Sequence, residues 1–267
     1  MSPSLSESIR IGLCPDRVLL ARYGRGLRPR LLEKETLSVD AGIAEEPWRA
    51  AIAALPKPLE AHAPRAADAT VVLSNHFVRY ALLGANDRLS NRDEWLEYAS
   101  HHFEKTYGAR ARDWDIQISE SGTAHPRLAS AIDKALLDAV AVLFKNSRVR
   151  LRSIQPYLTI AFNRALPCMR QSSFWFVVEE PGRLLLGLVR EGLWQSVRAR
   201  QTNARWCEEL PQMVERESAL LASGAPCRDV LVSALDPVEP AASNGFKFAT
   251  PPSPLAGEER AYAMVCA

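Results

Sequence analysis

The 267-residue chain has few cysteines, and they are not arranged in pairs. The five thiols are scattered at Cys14, Cys168, Cys207, Cys227 and Cys266, without a CxxC motif. An odd, scattered set of this kind is typical of a reducing compartment and excludes the disulfide framework of a small secreted protein.

Long hydrophobic runs and an imbalance of charge are also missing. No apolar stretch approaches the roughly 18 residues that span a bilayer, and the first residues lack the apolar core of a secretory signal. The formal net charge of +2 is too small for the basic patch that dominates most nucleic-acid-binding domains. We therefore expect a soluble, cytoplasmic protein that binds no nucleic acid, with attachment to a membrane surface left open.

Short motifs for metal or nucleophile chemistry are missing as well. His101 and His102 are adjacent, so on a helix they diverge by about 100° and cannot form the i, i+4 pair of a zinc helix. Ser74 and His76 occur without the G-x-S-x-G turn of a nucleophile elbow. No Lys-Ser/Thr pair follows the glycine loop at 24–26, so it is not a phosphate loop. We predict no metal site and no catalytic residue.

What the sequence does contain is one pattern that occurs twice. Residues 9–39 and residues 174–201 each predict three strands joined by tight turns, a meander that is followed by helices. In the second copy the runs FWFVV and LLLGLV are almost continuously apolar, which predicts strands covered on both faces. A repeated meander with helices after each copy indicates an internally duplicated α/β protein.

Between and after the meanders, hydrophobic periodicity predicts further elements. Helices are expected over 46–55, 90–107, 126–144 and 211–222, and a long strand or strand hairpin is centred on Ser74-Asn75. Residues 148–154 alternate strictly, so Arg148, Arg150 and Arg152 are expected on the solvated face of a half-buried strand.

These elements divide the chain into three expected parts. Residues 9–147 form a first subdomain and residues 148–235 a shortened second one. Residues 236–267 are rich in proline and show little periodicity, which predicts a disordered or irregular tail without a core of its own. We accordingly expect that the tail is dispensable for folding.

Three segments carry a resemblance to a known family. The run RVRLRSIQPYLTIAFNRAL at 148–166, followed by SFWFVVEEPGRLLLGLVREGLWQSVRARQ at 173–201, resembles the crossover into the second half of actin-like pilus-assembly and secretion-platform proteins. These are proteins of the PilM and MshI type and the cytoplasmic domain of the GspL type. The segment VVLSNHFVRYALL at 71–83 is similar to the corresponding part of the GspL and MshI branch. The resemblance implies a ribonuclease H-like, actin-like fold with duplicated β-β-β-α-β-α subdomains.

The resemblance also implies that a nucleotide would bind at the two hairpin turns. The first turn departs from the motif of the ATP-binding members. ATP-binding members carry roughly G-[IL]-D-x-G at the first hairpin, where the aspartate handles metal and water and the glycine exposes backbone N–H groups to phosphate. Here Cys14 stands at the position of the acid, and Pro15 has no N–H group to offer. Asp16 stands at the glycine position, where its charge repels phosphate.

The second hairpin departs from the family pattern in the same direction. A second D-x-G motif is expected there, and the sequence has Glu179-Glu180-Pro181-Gly182. From turn chemistry alone, the two glutamates are polar residues that flank a Pro-Gly turn rather than metal ligands. The adenosine-binding glycine pair would fall near DVLVSALDP, which contains no glycine. We therefore expect no bound cofactor and no metal.

The resemblance implies a role rather than a reaction. We expect a pseudo-ATPase, a non-catalytic scaffold in the inner-membrane platform of a bacterial type IV pilus or type II secretion system. Its expected partner is a cytoplasmic segment of a single-span inner-membrane protein, and a homodimer is left open. The alternative is an actin-like ATPase with atypical phosphate motifs. The sequence lacks the aspartate base that a sugar kinase on this fold would need. It also lacks the acid that a ribonuclease H-like nuclease would need in the strand IRIGL.

Overall fold

The computed structural model describes residues 7–26, 29–40, 46–62, 67–120, 125–169, 171–221, 227–234, 245–251 and 262–266. In chain order the strands are β1 (Glu7–Leu13), β2 (Arg17–Tyr23), β3 (Leu31–Ser38), β4 (Ala67–Leu73), β5 (Val78–Leu83), β6 (Trp114–Ile118), β7 (Arg127–Asp133), β8 (Val149–Pro156), β9 (Phe174–Glu180), β10 (Arg183–Arg190), β11 (Leu193–Gln201), β12 (Asp229–Ser233) and β13 (Lys247–Ala249). The α-helices are α1 (Trp48–Ala54), α2 (Pro56–His62), α3 (Arg92–Tyr107), α4 (Lys134–Lys145), α5 (Tyr157–Ala165) and α6 (Trp206–Leu220). Within these residues no helix combines the length and the apolar character that crossing a membrane requires.

The first meander begins a five-stranded mixed sheet with the order β3-β2-β1-β4-β8. The strands of the meander are antiparallel to one another, whereas β4 pairs with β1, and β8 with β4, in parallel. Ile9, Ile11 and Leu13 of β1 are all fully buried, as the central position of the strand requires. Helix α1 contacts β1 and β2, and α4 contacts both α1 and β8.

The second meander begins a sheet with the same topology, β11-β10-β9-β12-β13. Its pairings again run antiparallel, antiparallel, parallel and parallel from β11 to β13. Every residue of β9 is buried, which confirms the prediction of a strand covered on both faces. The predicted duplication is therefore confirmed: both copies place their first three strands in the order 3-2-1.

Strands β5, β7 and β6 form a separate three-stranded sheet, in that order, with α3 packed against it. Trp95, Ala99 and Phe103 of α3 are buried with Ala129 and Ala131 of β7. Asn91 caps the helix by accepting a hydrogen bond from the Glu94 N–H at 3.0 Å, and Gly108 ends it with a φ of 73°. The sequence predicted this helix and both of its ends.

Two predicted elements differ from the structure. The helix expected over 126–144 is wrong in its first half, because Arg127–Asp133 is strand β7 and the helix begins at Lys134. The segment around Ser74-Asn75 is not a hairpin, because β4 and β5 belong to different sheets. The strand predicted at 148–154 is β8. The helix predicted over 211–222 is α6, which begins earlier, at Trp206, and contains Pro211.

The chain divides into two compact units that do not follow the predicted boundaries. The first unit comprises Met1–Val78, Ile132–Ile160 and Ala261–Ala267, and the second comprises Arg79–Ala131 and Ala161–Arg260. The expected subdomains 9–147 and 148–235 were contiguous, whereas each observed unit combines separate stretches of sequence. The three-stranded sheet and α3 fall within the second unit, although they precede the second meander in the chain.

The described part of the predicted tail is ordered and packed. Lys247–Ala249 form the short strand β13, which pairs with β12 in the second unit. Ala263, Met264, Val265 and Cys266 are buried in the first unit. The prediction that 236–267 lacks a core is therefore wrong for these residues, because two short apolar stretches within it complete cores built elsewhere in the chain.

Candidate functional site

The first turn (Cys14–Arg17) joins β1 to β2 and uses its own backbone groups. The Cys14 N–H donates to the Arg17 carbonyl oxygen at 3.0 Å, and the Asp16 carbonyl oxygen accepts from the Val39 N–H at 2.8 Å. Pro15 has no N–H. The Asp16 carboxylate is exposed and lies 3.8 Å from Nε of Arg17. The turn therefore presents a carboxylate on its surface and engages the Cys14 amide internally.

The side chain of Cys14 points into the first unit. It is buried, and its Sγ lies 3.9 Å from Sδ of Met264 in the C-terminal segment, which we define as Tyr262–Cys266. The Tyr23 hydroxyl donates to the Val265 carbonyl oxygen at 3.1 Å. A thiol enclosed in this way cannot take the place of a metal-binding aspartate at the turn.

The second turn (Glu179–Arg183) joins β9 to β10 through Pro181 and Gly182. Gly182 has a φ of 77°, as the third position of a type II turn requires. Glu179 and Glu180 are only 7% and 3% exposed, so they are buried rather than solvated flanks of the turn. The sequence correctly predicted a Pro-Gly turn and missed the burial of both carboxylates.

The charge of Glu180 has a partner on the opposite strand. The strand register places Glu180 directly across from Arg183. Burial lowers the pKa of the Arg183 guanidinium, and the nearby Glu180 carboxylate opposes that change and favours the charged form. A sequence signal for this pair did exist, since a two-residue turn places the residues on either side of it opposite each other.

Comparison with known proteins gives matches in structure only. No family model and no curated protein match the sequence. The cytoplasmic domain of EpsL, an inner membrane component of the type II secretion system of Vibrio cholerae, superposes with a TM-score of 0.63 at 11% identity, over 94% of this chain and 91% of that chain. The PilM–PilN type IV pilus biogenesis complex gives 0.60 at 12% identity, over 86% and 81%. A Bacteroides thetaiotaomicron protein with an actin-like ATPase fold and unknown function gives 0.55 at 10%, over 85% and 81%.

The chain has the actin-like fold. The structural likeness confirms the predicted fold class, including the duplicated meanders that the first two sheets contain. Identities of 10–12% show the fold and do not by themselves transfer an activity.

The residues at the two turns of this actin-like chain do not fit the nucleotide that the fold implies. Phosphate binding at such turns depends on backbone N–H groups that are free to donate to the phosphate oxygens. The Cys14 amide is already engaged, Pro15 and Pro181 have no N–H, and the second turn adds two buried carboxylates.

The other residues that the sequence singled out do not converge on a site. No group of three or more His, Cys, Asp or Glu residues in the described parts of the chain could hold a metal ion. His101 is exposed and His102 is half-buried beside Phe103. Ser74 is buried, and its Oγ accepts from the backbone N–H of His76 at 3.1 Å, which is the geometry of a turn.

Two polar residues that the sequence analysis missed have structural roles. Asn75 is buried, and its Oδ1 accepts from the Leu158 N–H at 3.2 Å in the first turn of α5. Asp68 on β4 lies 3.1 Å from Nε of Arg150 and 3.0 Å from Nε of Arg152. The arginine face predicted on β8 is therefore exposed as expected, with two of its three cations held by one carboxylate.

Proposed function

We propose that this chain is a non-catalytic scaffold of an inner-membrane assembly platform in a bacterial type II secretion or type IV pilus system. It keeps the actin-like fold without the phosphate-binding chemistry. It acts in the cytoplasm by binding a cytoplasmic segment of a membrane partner.

The observation that carries the proposal is the state of the two turns. Four independent changes there oppose nucleotide: an engaged Cys14 amide, two prolines without N–H groups, an exposed Asp16 and two buried glutamates. A charge pair at about 4 Å is worth roughly 4 kcal/mol at an effective dielectric of 20, so carboxylates beside a triphosphate are costly. The loss of backbone N–H donors and the addition of carboxylates both weaken nucleotide binding.

The assembly role is supported by the named function of the structural relatives. The EpsL domain is described as an inner membrane component of a secretion system, and the PilM–PilN structure as a pilus biogenesis complex. The superposition on the EpsL cytoplasmic domain covers 94% of this chain and 91% of that chain. A scaffold role explains why the chain keeps the actin-like fold although it lacks the nucleotide-binding motifs.

The nucleotide half of the proposal is tested by thermal unfolding in millimolar Mg-ATP and in Mg²⁺ alone. Ligand at 100 times its dissociation constant stabilises a protein by about 2.7 kcal/mol. For a chain of this size that corresponds to a rise in Tm of roughly 5–10 °C. We expect no rise.

A positive result would favour the alternative function, an actin-like ATPase with atypical motifs. If Tm rises by several degrees in Mg-ATP, the Gly182→Arg variant shows whether the second turn is responsible, because a long cation at the positive-φ position blocks the turn. Loss of the shift in that variant would establish a genuine nucleotide site and contradict the scaffold.

The partner half is tested by co-purification with the cytoplasmic segments of membrane proteins encoded beside this gene. A segment that orders on binding is expected to bind with micromolar affinity. Absence of binding by every such segment at about 100 μM would contradict the proposed assembly role, whatever the nucleotide result.

A further inference from the structure

Strands β11 and β5 of the second unit are edge strands of their sheets. Strand β11 pairs only with β10, and β5 pairs only with β7, within the described residues. Strand β11 has nine residues, which is long for an unprotected edge. An open edge of this length presents a row of backbone donors and acceptors that can pair with another chain.

A cavity of about 420 Å³ lies along both open edges. It is lined by five consecutive residues of β11, Gln195–Ala199, and by three consecutive residues of β5, Tyr80–Leu82. Side chains alternate between the faces of a strand, so a cavity on one face would meet only every second residue. Contact with consecutive residues therefore places the cavity at the backbone edges. Phe103 and Tyr107 of α3 line it as well.

The hydrogen bonding of β11 shows which of its backbone groups face outward. The Thr202 N–H donates to the Gly182 carbonyl oxygen at 3.2 Å, so the backbone at 202 points toward the β10 side. In an antiparallel pair alternate residues direct their backbone groups to the same neighbour. The backbone N–H and carbonyl groups of Arg200 and Arg198 therefore point toward β10. Those of Val197 and Ala199 point toward the open edge.

The surroundings of the cavity are positively charged. No acidic residue lines it in the described structure, and Arg198 in its lining is exposed and makes no ion pair. Burial lowers the pKa of the Arg79 guanidinium, and the neighbouring charges of Arg183 and Arg110 lower it further. Tyr107, which lines the cavity, lies close enough to Arg79 to raise the pKa of the guanidinium and partly offset this lowering.

Three carboxylates of the second unit are already engaged by arginines. Glu180 faces Arg183 across the strand pair. Glu104 of α3 lies 3.1 Å from Nε of Arg112, and Glu217 of α6 is paired with Arg200. The cavity lining itself contains Arg198 and no carboxylate, which favours an acidic occupant.

We propose that the open edge of β11 binds an extended, acidic segment of a partner protein as an added strand. Its main chain pairs with the outward groups of Val197 and Ala199. Side chains on one face of the segment pack beside Tyr80 and Tyr107, and its carboxylates lie near Arg198. The inference rests on the partner-binding role proposed above and names the surface and the chemistry of that partner.

The main-chain contact is tested with a fluorescein-labelled peptide of about seven residues that alternates glutamate and valine. Anisotropy measures its binding to the full chain. We expect Ala199→Pro to weaken binding at least ten-fold, because proline removes an N–H that faces outward and is tolerated on an edge strand. A second peptide, N-methylated at two adjacent central residues, tests the same contact on the unaltered protein and is expected to bind at least ten-fold more weakly. Equal binding of the methylated and unmethylated peptides would overturn strand addition.

The charge requirement is tested with Arg198→Glu and a matched control, Arg92→Glu, which reverses an exposed arginine at the start of α3 in the same unit, outside the cavity. We expect at least ten-fold weaker binding for the first variant and less than two-fold for the second. The same peptide with lysine in place of glutamate is expected to bind at least ten-fold more weakly. Equal affinities for the acidic and basic peptides, or equal effects of the two arginine variants, would overturn the acidic occupant.

A parallel measurement separates this inference from the proposed function. The membrane-partner segment identified by co-purification is tested against Ala199→Pro under the same conditions. Loss of binding supports the β11 edge as its site. Undiminished binding overturns the β11 site and leaves the assembly role standing, because the partner would then bind elsewhere on the chain.

Discussion

At the scale of single residues, the buried carboxylate of Glu217 shows how this fold tolerates charge in its core. Glu217 lies on α6 with a side chain that is 3% exposed, and it is paired with Arg200 of β11, whose side chain is 33% exposed. A buried carboxylate without a cation is strongly destabilising, whereas an exposed ion pair contributes little. Arg205 and Glu208 form such an exposed pair in the same unit and provide an internal comparison.

Removal of Arg200 should therefore cost far more than removal of Arg205. We expect Arg200→Met to lower the free energy of unfolding by about 2–3 kcal/mol, somewhat below the usual cost of breaking a fully buried pair, because water reaches the arginine. Arg205→Met should change it by less than about 1 kcal/mol. Urea denaturation measures both variants. Equal effects would contradict a structural role for the Arg200–Glu217 pair.

Thiol ionisation provides a second prediction at this scale. Burial raises the pKa of the Cys227 thiol and of the Cys207 thiol, and the charge of Glu208 raises the latter further. A raised folded pKa means that the unfolded chain ionises first, so stability falls as the pH rises above the unfolded value of about 8.5. Because the thiolate is the nucleophile, alkylation of both sites should be slower than in the urea-unfolded chain at pH 8. Site-resolved mass spectrometry after iodoacetamide treatment measures the rates, and native rates equal to the unfolded ones would be inconsistent with burial.

At the scale of elements, local sequence patterns were sufficient to predict a strand or helix wherever its own residues define it. The capped helix α3 and both apolar meanders were predicted for that reason, and so was the 3-2-1 strand order. Strand β7 was missed because its sequence, RLASAID, has small buried residues, Ala129 and Ala131, and a leucine spacing that continues into α4. It is the middle strand of its sheet, between β6, which directly precedes it in the chain, and β5, which lies before α3. No local period reveals the pairing with β5.

The same limit explains the candidate site. The residues of the two turns were predicted by position and chemistry, and the structure adds the burial of Glu179 and Glu180. Burial depends on the elements that cover a turn, which the local sequence does not specify. The open edges of β5 and β11 were likewise beyond the sequence, because an edge exists only when the complete strand order is known.

The position of β11 in its sheet depends on a close contact with β10. A Cβ atom added to Gly187 would overlap the Trp194 ring, which also packs on Phe162 with 4.7 Å between ring centroids. We expect Gly187→Ala to lower the free energy of unfolding by roughly 1–3 kcal/mol, the usual cost of overpacking, and to change the tryptophan fluorescence. Gly84→Ala is the control, since nothing lies within 4 Å of its added Cβ, and should stay within about 0.5 kcal/mol of the parent chain. Similar stability for the two variants would contradict the contact.

At the scale of the whole molecule, the first unit is assembled from three distant parts of the chain. The meander at the beginning supplies three strands, the middle of the chain supplies α4 and β8, and the C-terminal segment supplies the last buried side chains. A contiguous piece such as 9–147 therefore lacks both β8 and the C-terminal segment. Sequence analysis missed this closure because AMVC is a short apolar run that follows a proline-rich stretch. Its partners, Cys14 of the first turn and Tyr23 of β2, are more than 240 residues away.

The final prediction tests whether the C-terminal segment belongs to the core of the first unit. Met264 is 2% exposed, and its sulfur lies 3.9 Å from that of Cys14. We expect Met264→Ala to lower the free energy of unfolding by about 2–4 kcal/mol, because a buried methionine is replaced by a cavity whose surroundings relax only in part. Leu32→Ala, at a half-exposed position on β3 of the same unit, should cost less than about 1 kcal/mol, because much of its side chain is in water in both states. Guanidinium denaturation followed by circular dichroism measures both. If Met264→Ala costs no more than Leu32→Ala, the C-terminal segment is not part of the core and the first unit is complete without it.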